Sequence, residues 1–337
     1  MSLLKSLFFS ILLLGISLAS TPAVAQETTS PVVQHETEYV QWMKEFPSKG
    51  KDRAKKSLKK RFGELIFGKK GRVLDKPVSV VAESPDKYWI IDQKNGTIVF
   101  VEENKGEELK IKTTDDQFLS SMVGICILPE RGLLFSDSRL NEVFFLENGS
   151  PGLSPIADSI DWHRPTGIAH SVVKDEIWVV ETAAHRISIV NLKGELKRVI
   201  GKRGNGPGDF NFPTHIWIDS QGDAYIVDAL NFRIQIFDKN GEFINMFGES
   251  GDGTGSLARP KGIATDSFGN IYVVDALFHV VQIFNRSGRL LYYFGSQGRN
   301  KGEFWMPSGI YIDHKDNIFV SDTYNSRIQV FNLINVE

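Results

Sequence analysis

The sequence contains a single cysteine, Cys126. One thiol can neither close an internal disulfide nor supply the paired cysteines of a structural zinc module, so packing and hydrogen bonds must hold the fold. An excess of one charge sign is missing too. Lys plus Arg number 39 against 41 Asp plus Glu, a formal net charge of −2. That balance argues against capture of nucleic acid by the field of the whole protein. There is no G-x-S-x-G elbow, no G-x-x-x-x-G-K-[ST] phosphate loop and no H-E-x-x-H zinc helix. The basic, glycine-rich stretch from Gly201 to Gly208 precedes a strand pattern, so no helix N-terminus stands ready to receive a phosphate there. Cys126 lies in the apolar run Val123 to Leu128, which reads as core filling rather than a nucleophile.

Long hydrophobic runs are confined to the start. Lys5 is followed by 13 largely apolar residues from Leu7 to Ala19 and by the small-residue pattern Ala23-Val24-Ala25. This run falls short of the roughly 20 residues that span a bilayer and has the layout of a secretion signal. Residues 1–25 are therefore expected to be a signal peptide cleaved after Ala25, and the mature protein to be periplasmic or secreted.

What fills the remainder is repetition. The segment from Pro213 (PTHIWIDSQGDAYIVDALNFRIQIF) recurs from Pro260, Pro307 and Pro165, and in weaker form from Met122 and Pro77. An acidic residue ends the second apolar run of every copy: Asp92, Asp137, Glu181, Asp228, Asp275 and Asp322, at spacings of 45, 44, 47, 47 and 47. Within a copy, β-branched and aromatic runs alternate with turn signals such as Gln221-Gly222 and Asn240-Gly241. Four short strands at a period near 45 residues predict a propeller blade, and six copies predict an all-β, six-bladed β-propeller of four-stranded blades over 76–337. A β-sandwich is the rival, and the fixed period speaks against it.

The string V-x-D-x-x-N-x-R-I-Q-x-F, at Val227 to Phe237 and approximately at Ser321 to Phe331, resembles the NHL repeat. So does the loop before it, Gly206-Pro-Gly-Asp-Phe-Asn-Phe-Pro213, with a longer version from Gly298 to Pro307. The resemblance covers about three quarters of the chain. It implies the propeller fold and leaves activity open, because NHL propellers serve as binding platforms, lyases and assembly domains alike.

The sixth copy ends after three strands, so the N-terminal segment is expected to supply the fourth and to hide two sheet edges at once. Glu38 to Phe46 and Gly63 to Gly68 are the two candidates. Ala54, Leu58, Phe62, Leu65 and Ile66 share one helical face, which favours 38–46 as the closing strand and 52–66 as a short strap helix within the N-terminal segment 26–75. The strap is basic: residues 44–72 carry a net charge of +9, and residues from 73 onward carry −9. It offers a possible contact to an anionic surface.

On a propeller, the loops from strand 4 to strand 1 and from strand 2 to strand 3 share one face with the channel mouth. That face is expected to gather Arg186, Arg203, Asn231, Arg233, Lys261, Arg299, Tyr324, Asn325 and Arg327 as ligand-contacting residues. Pairs such as Glu181 with Arg186, Asp228 with Arg233 and Asp322 with Arg327 read as ion pairs that pin the strand 2–3 turn. Asp275 lacks such a partner and has His279 nearby, while His215 stands where other copies have Gly167, Gly262 and Gly309. His215, Asp275 and His279 are thus the candidates for any catalysis. The expected function is an exported, non-catalytic binding or scaffold propeller that recognises a protein, peptide or glycan through its loop face. It is expected to be a monomer with no cofactor and no nucleic-acid partner. The alternative is a metal-dependent NHL-type lyase or lactonase-like hydrolase with Ca²⁺ or Zn²⁺ at the channel mouth.

Overall fold

The structure, a computed structural model, describes residues 39–47, 74–103, 107–112, 119, 121–150, 152–157 and 159–334. Among these, all regular structure is strand apart from single turns of 3-10 helix, and the strands form six four-stranded antiparallel sheets. Blade 1 comprises Pro77–Ser84, Lys87–Asp92, Thr97–Glu102 and Glu107–Lys112, and blade 2 Met122–Leu128, Gly132–Asp137, Glu142–Glu147 and Leu153–Pro155. Blades 3, 4 and 5 begin at the inner strands Pro165–Ser171, Pro213–Ile218 and Pro260–Thr265. Each inner strand contacts the inner strands of neighbouring blades, and Pro77–Ser84 also meets blade 6, so the ring closes. The repeat spacing thus translates into a six-bladed propeller.

Blade 6 contains Ile310–Ile312, Asn317–Asp322 and Arg327–Leu333, and takes its outer strand from Val40–Phe46. The pairing runs antiparallel from Val40 opposite Leu333 to Phe46 opposite Ile328, with a bulge between Trp42 and Lys44. The strap helix expected at 52–66, the alternative closing strand at 63–68 and the signal peptide at 1–25 lie outside the described residues, as does most of the basic segment 44–72.

Packing explains the residue types. Second strands such as Ala224–Asp228, Ile271–Asp275 and Asn317–Asp322 are buried along their whole length, because neighbouring blades cover both of their faces. They therefore read as continuous apolar runs rather than as an alternating pattern. The outer strands Leu196–Ile200 and Phe243–Phe247 are half in water and mix exposed with half-buried positions, Phe247 alone being buried. Apolar clusters sit between blades: Tyr88, Ile90 and Val99 of blade 1 pack with Phe319, Ile328 and Val330 of blade 6. On the inner strands, glycine is required where neighbouring strands nearly touch. A Cβ at Gly262 would lie 2.6 Å from the Ser308 carbonyl oxygen, and one at Gly309 would lie 2.7 Å from that of Val78.

The ion pairs expected at the strand 2–3 turns are present. Arg186, Arg233 and Arg327 hold Glu181, Asp228 and Asp322 at 2.9, 2.8 and 2.7 Å. Arg327, with its side chain 3% exposed, also bonds Glu45 of the closing strand and the carbonyls of Asn300 and Glu303. It ties the closing strand, the turn and the preceding loop to one guanidinium. Replacing it with alanine removes the buried guanidinium that two carboxylates share, although Asp322 keeps bonds from the Trp305 amide, Asn325 and Gln329. Urea unfolding of Arg327→Ala is expected to show a loss of about 3–5 kcal/mol. Arg186→Ala is expected to lose about 1 kcal/mol, because Arg186 is 34% exposed and Glu181 keeps bonds from the His163 amide and Ser188. Equal losses in the two variants would refute this ranking.

Candidate functional site: the channel mouth

Six inner strands run side by side around the channel, so residues of equal register form rings. The residues immediately before the first position of each repeat (Pro77, Met122, Pro165, Pro213, Pro260 and Pro307) are Lys76, Ser121, Arg164, Phe212, Arg259 and Met306. Cations therefore stand in blades 1, 3 and 5, alternating around the ring. Two residues further in, the ring reads Val78, Val123, Thr166, Thr214, Lys261 and Ser308, which adds a fourth cation. All four cations line one cavity of about 300 Å³, together with Tyr324 and several Ser and Thr side chains.

The backbone beneath the cations is held by the repeated acids. Asp92 accepts the Lys76 amide at 2.8 Å, Asp137 that of Ser121 at 3.1 Å, and Glu181 that of His163 at 2.8 Å. Asp228 accepts the Asn211 amide at 2.6 Å, Asp275 those of Ala258 and Arg259 at 2.7 and 3.1 Å, and Asp322 that of Trp305 at 2.8 Å. All six carboxylates are fully buried and turned toward backbone N–H groups. Thr182 and Thr323 spend their hydroxyls on the carbonyls of Pro213 and Pro77 in the next blade, at 2.7 and 2.8 Å.

The cations, by contrast, are left to one another. Among the described residues no carboxylate pairs with Lys76, Arg164, Arg259 or Lys261, and the Lys76 ammonium donates to the Gln93 amide oxygen at 2.8 Å. Burial, followed by the fields of Arg259, Lys76 and Arg164, pushes the Lys261 ammonium below its ordinary value. Thr214 Oγ1 and His215 Nδ1 are buried in the same region without a hydrogen-bond partner. Burial, with Lys261 second, lowers the His215 pKa to about 3, so its imidazole is neutral at physiological pH.

His215 is also the only described residue that lines both this cavity and a second one below it, of about 670 Å³. The lower chamber is walled by the next ring, Val80, Ile125, Ile168, Ile216, Ile263 and Ile310, with Trp217 and Tyr311 beyond. It extends to the turns of the opposite face at Glu130 and Val172. Cys126 borders it, and burial pushes the thiol up to about 12, which leaves it protonated and inert as the sequence implied.

Several expected site residues lie elsewhere. His215, Asp275 and His279 do not form a metal site: among the described residues no group of three His, Cys, Asp or Glu side chains is placed to hold an ion. These three side chains therefore do not converge as a Ca²⁺ or Zn²⁺ site built from them would require. Asp275 is not free, because in place of an arginine it takes the amides of Ala258, Arg259, Leu277 and Phe278. His279 occupies a turn position with φ of 61°, and its Nδ1 accepts the Met306 amide at 3.0 Å. His185 does the same for Phe212 at 3.1 Å, so both histidines link one blade to the next.

Of the expected ligand face, Lys261 and Tyr324 line the mouth. Arg203 and Arg299 stand outside that lining, the latter with its guanidinium 4.6 Å from the Trp305 ring centre. Arg186, Arg233 and Arg327 are engaged in the turn pairs. Arg233 also binds the carbonyls of Asn205, Gly206 and Asp209 at 2.7–2.9 Å, while Asn231 and Asn325 bind those of Gly204 and Gly298 at 2.9 and 2.8 Å. These donors fold the loops and are spent before any ligand arrives. Lys76 and Arg164 were missed by motif reading, although aligning the six residues that precede the first position of each repeat puts both in one column with Arg259.

The neutral state of His215 has a pH signature. The unfolded chain takes up the proton near pH 6.5 and the folded chain near 3, so stability is fully present above about 6.5 and falls as the pH drops toward 3. Between pH 7.5 and 5 the wild type is expected to lose about 2 kcal/mol more than His215→Gln in urea unfolding. Parallel pH profiles would refute the neutral, buried imidazole.

Comparison with known proteins supports the same architecture. A model described as 6-bladed beta-propeller matches residues 169–230, a beta-propeller repeat model matches 247–274, and an NHL repeat model matches 304–331. No curated protein matches the sequence. Virginiamycin B lyase from Staphylococcus aureus superposes with a TM-score of 0.57 and 14% identity, over 77% of this chain and 95% of its own. An auxiliary nutrient binding protein from Bacteroides thetaiotaomicron gives a TM-score of 0.62 and 15% identity, over 77% of this chain and 69% of its own. A nidogen/laminin complex structure gives 0.53 and 16%, over 64% and 79%. At these identities the likeness is one of fold. Six four-stranded blades, the inter-blade packing and the matched repeats together identify the chain as a six-bladed β-propeller, with an NHL repeat at residues 304–331.

Proposed function

We propose that the protein is an exported, non-catalytic binding propeller that holds an anionic group of a peptide, protein or glycan in its channel mouth. The observation that carries this reading is the convergence of Lys76, Arg164, Arg259 and Lys261 on one cavity with no described carboxylate paired to any of them. Like charges held together in a partly desolvated site destabilise the empty protein, and an anion relieves that repulsion. A surface cluster would spread into water; this one is anchored by backbone that the buried acids clamp. The acidic balance of the chain from residue 73 onward makes the basic mouth a local feature rather than a general one. The nutrient-binding neighbour supports a binding role for this fold.

Inorganic pyrophosphate serves as the probe. Calorimetric titration at low ionic strength is expected to give binding that weakens as salt approaches 0.3 M and that drops at least ten-fold in Arg259→Gln or Lys261→Gln. Binding unaffected by both substitutions would overturn the reading. Export has its own test: mass spectrometry of protein recovered from outside the cytoplasm is expected to show a chain that begins at Gln26. An intact Met1 would refute cleavage after Ala25.

A further inference from the structure

We infer that the ligand is an amphiphile, with its anionic head in the mouth and its apolar body in the lower chamber. The inference rests on the proposed anion site and adds what the rest of the channel selects. The lower chamber, about 670 Å³, is within the size range of small-molecule sites, and its walls are mainly branched aliphatic and aromatic side chains, with Glu83, Glu130, Asn148, His170 and His314 also in the lining. Trp217 and Tyr311 stand within it in edge contact at 5.4 Å between ring centres, and the Trp217 indole N–H is already satisfied by Thr265 at 2.8 Å. Around Trp217 the chamber therefore offers mainly shape and apolar surface, while His170, whose Nδ1 has no partner, and His314 add polar groups to the lining.

The two cavities meet at a level where the inner strands carry almost no side chains, and His215 lines both. The ring there consists of Ser79, Gly124, Gly167, His215, Gly262 and Gly309. Apart from the short Ser79 side chain, His215 alone contributes bulk at this level. The neutral imidazole carries an unpartnered Nδ1, and Thr214 Oγ1 is unpartnered beside it. An ester, amide or hydroxyl just below the head would meet the His215 imidazole, which lines both cavities. From the register of Lys76 to that of Trp217 is five residues, roughly 16 Å along a strand. The ligand is therefore elongated: a charged end, a short polar junction at His215, and an apolar body that reaches Trp217.

The test is a homologous series titrated into the protein at concentrations below micelle formation: acetate, octanoate, dodecanoate and uncharged dodecanol. Each buried methylene is expected to tighten binding by up to about four-fold, so dodecanoate should bind at least a hundred-fold more tightly than acetate. Arg259→Gln should weaken dodecanoate binding at least ten-fold and leave dodecanol unchanged. Equal affinity for acetate and dodecanoate would overturn the amphiphile while the anion site stands. Equal affinity for dodecanoate and dodecanol, with no effect of Arg259→Gln, would overturn both the head-group placement and the anion site. Failure of every member to bind a protein that still binds pyrophosphate would overturn the amphiphile while the anion site stands. A second variant, Ile168→Asp, places a charge on the chamber wall. It should abolish the gain with chain length yet preserve pyrophosphate binding, and loss of pyrophosphate binding alongside an altered melting curve would mark a folding defect, in which case the chain series on the wild type decides.

Discussion

One buried carboxylate per blade organises this molecule. It ends the second strand, lies beyond the reach of water, and can be tolerated there only if donors surround it. The donors come from the backbone just before the inner strand of the same blade, in every one of the six blades. The acid thereby fixes how each loop enters the channel. Where an arginine follows five residues on, as at Arg233 or Arg327, the same carboxylate also recruits a guanidinium that gathers loop carbonyls. Where it does not, as at Asp275, additional backbone amides take its place.

From this constraint the functional surface follows. The clamped segment ends in the residue that faces the mouth, so whatever side chain stands there is presented at a fixed height. Three blades present a cation, and Lys261 adds one from within the inner strand. The acids are close in sequence to these cations yet spent on backbone, so the mouth keeps its positive field although the propeller sequence is acidic. Holding like charges together opposes folding, and the cost is met by the inter-blade packing rather than within the site.

The repeated polar residues that look functional in the sequence are the ones that build the loops. Arg233, Arg327, Asn231 and Asn325 recur because each blade needs the same loop, and recurrence is what made them visible. His279 and Asp275 looked free because one partner in their repeat pattern was absent, and backbone donors, which carry no residue signature, had replaced it. Lys76 and Arg164 were hidden for the opposite reason. Each is ordinary in its own repeat, and only the ring brings them together with Arg259 across blades separated by roughly ninety residues in sequence.

The sequence by itself determined the architecture. A period of 44 to 47 residues, an acid at the end of each second strand and turn residues at fixed offsets specify the blade, and six copies specify the ring. These are local signals, set by side-chain patterning along one strand and its neighbours, and they survive without knowledge of the whole. Which residues share the channel was decided only by tertiary structure, because closing the ring converts equal positions in different repeats into neighbours. That residues 38–46 would close the sixth blade was legible from the missing fourth strand, whereas the register of Val40–Phe46 against Arg327–Leu333 and its bulge were set only by the tertiary structure. Whether a polar group is spent or available depends on what packs against it in three dimensions, and for this propeller that distinction separates the residues that build the mouth from those that can act there.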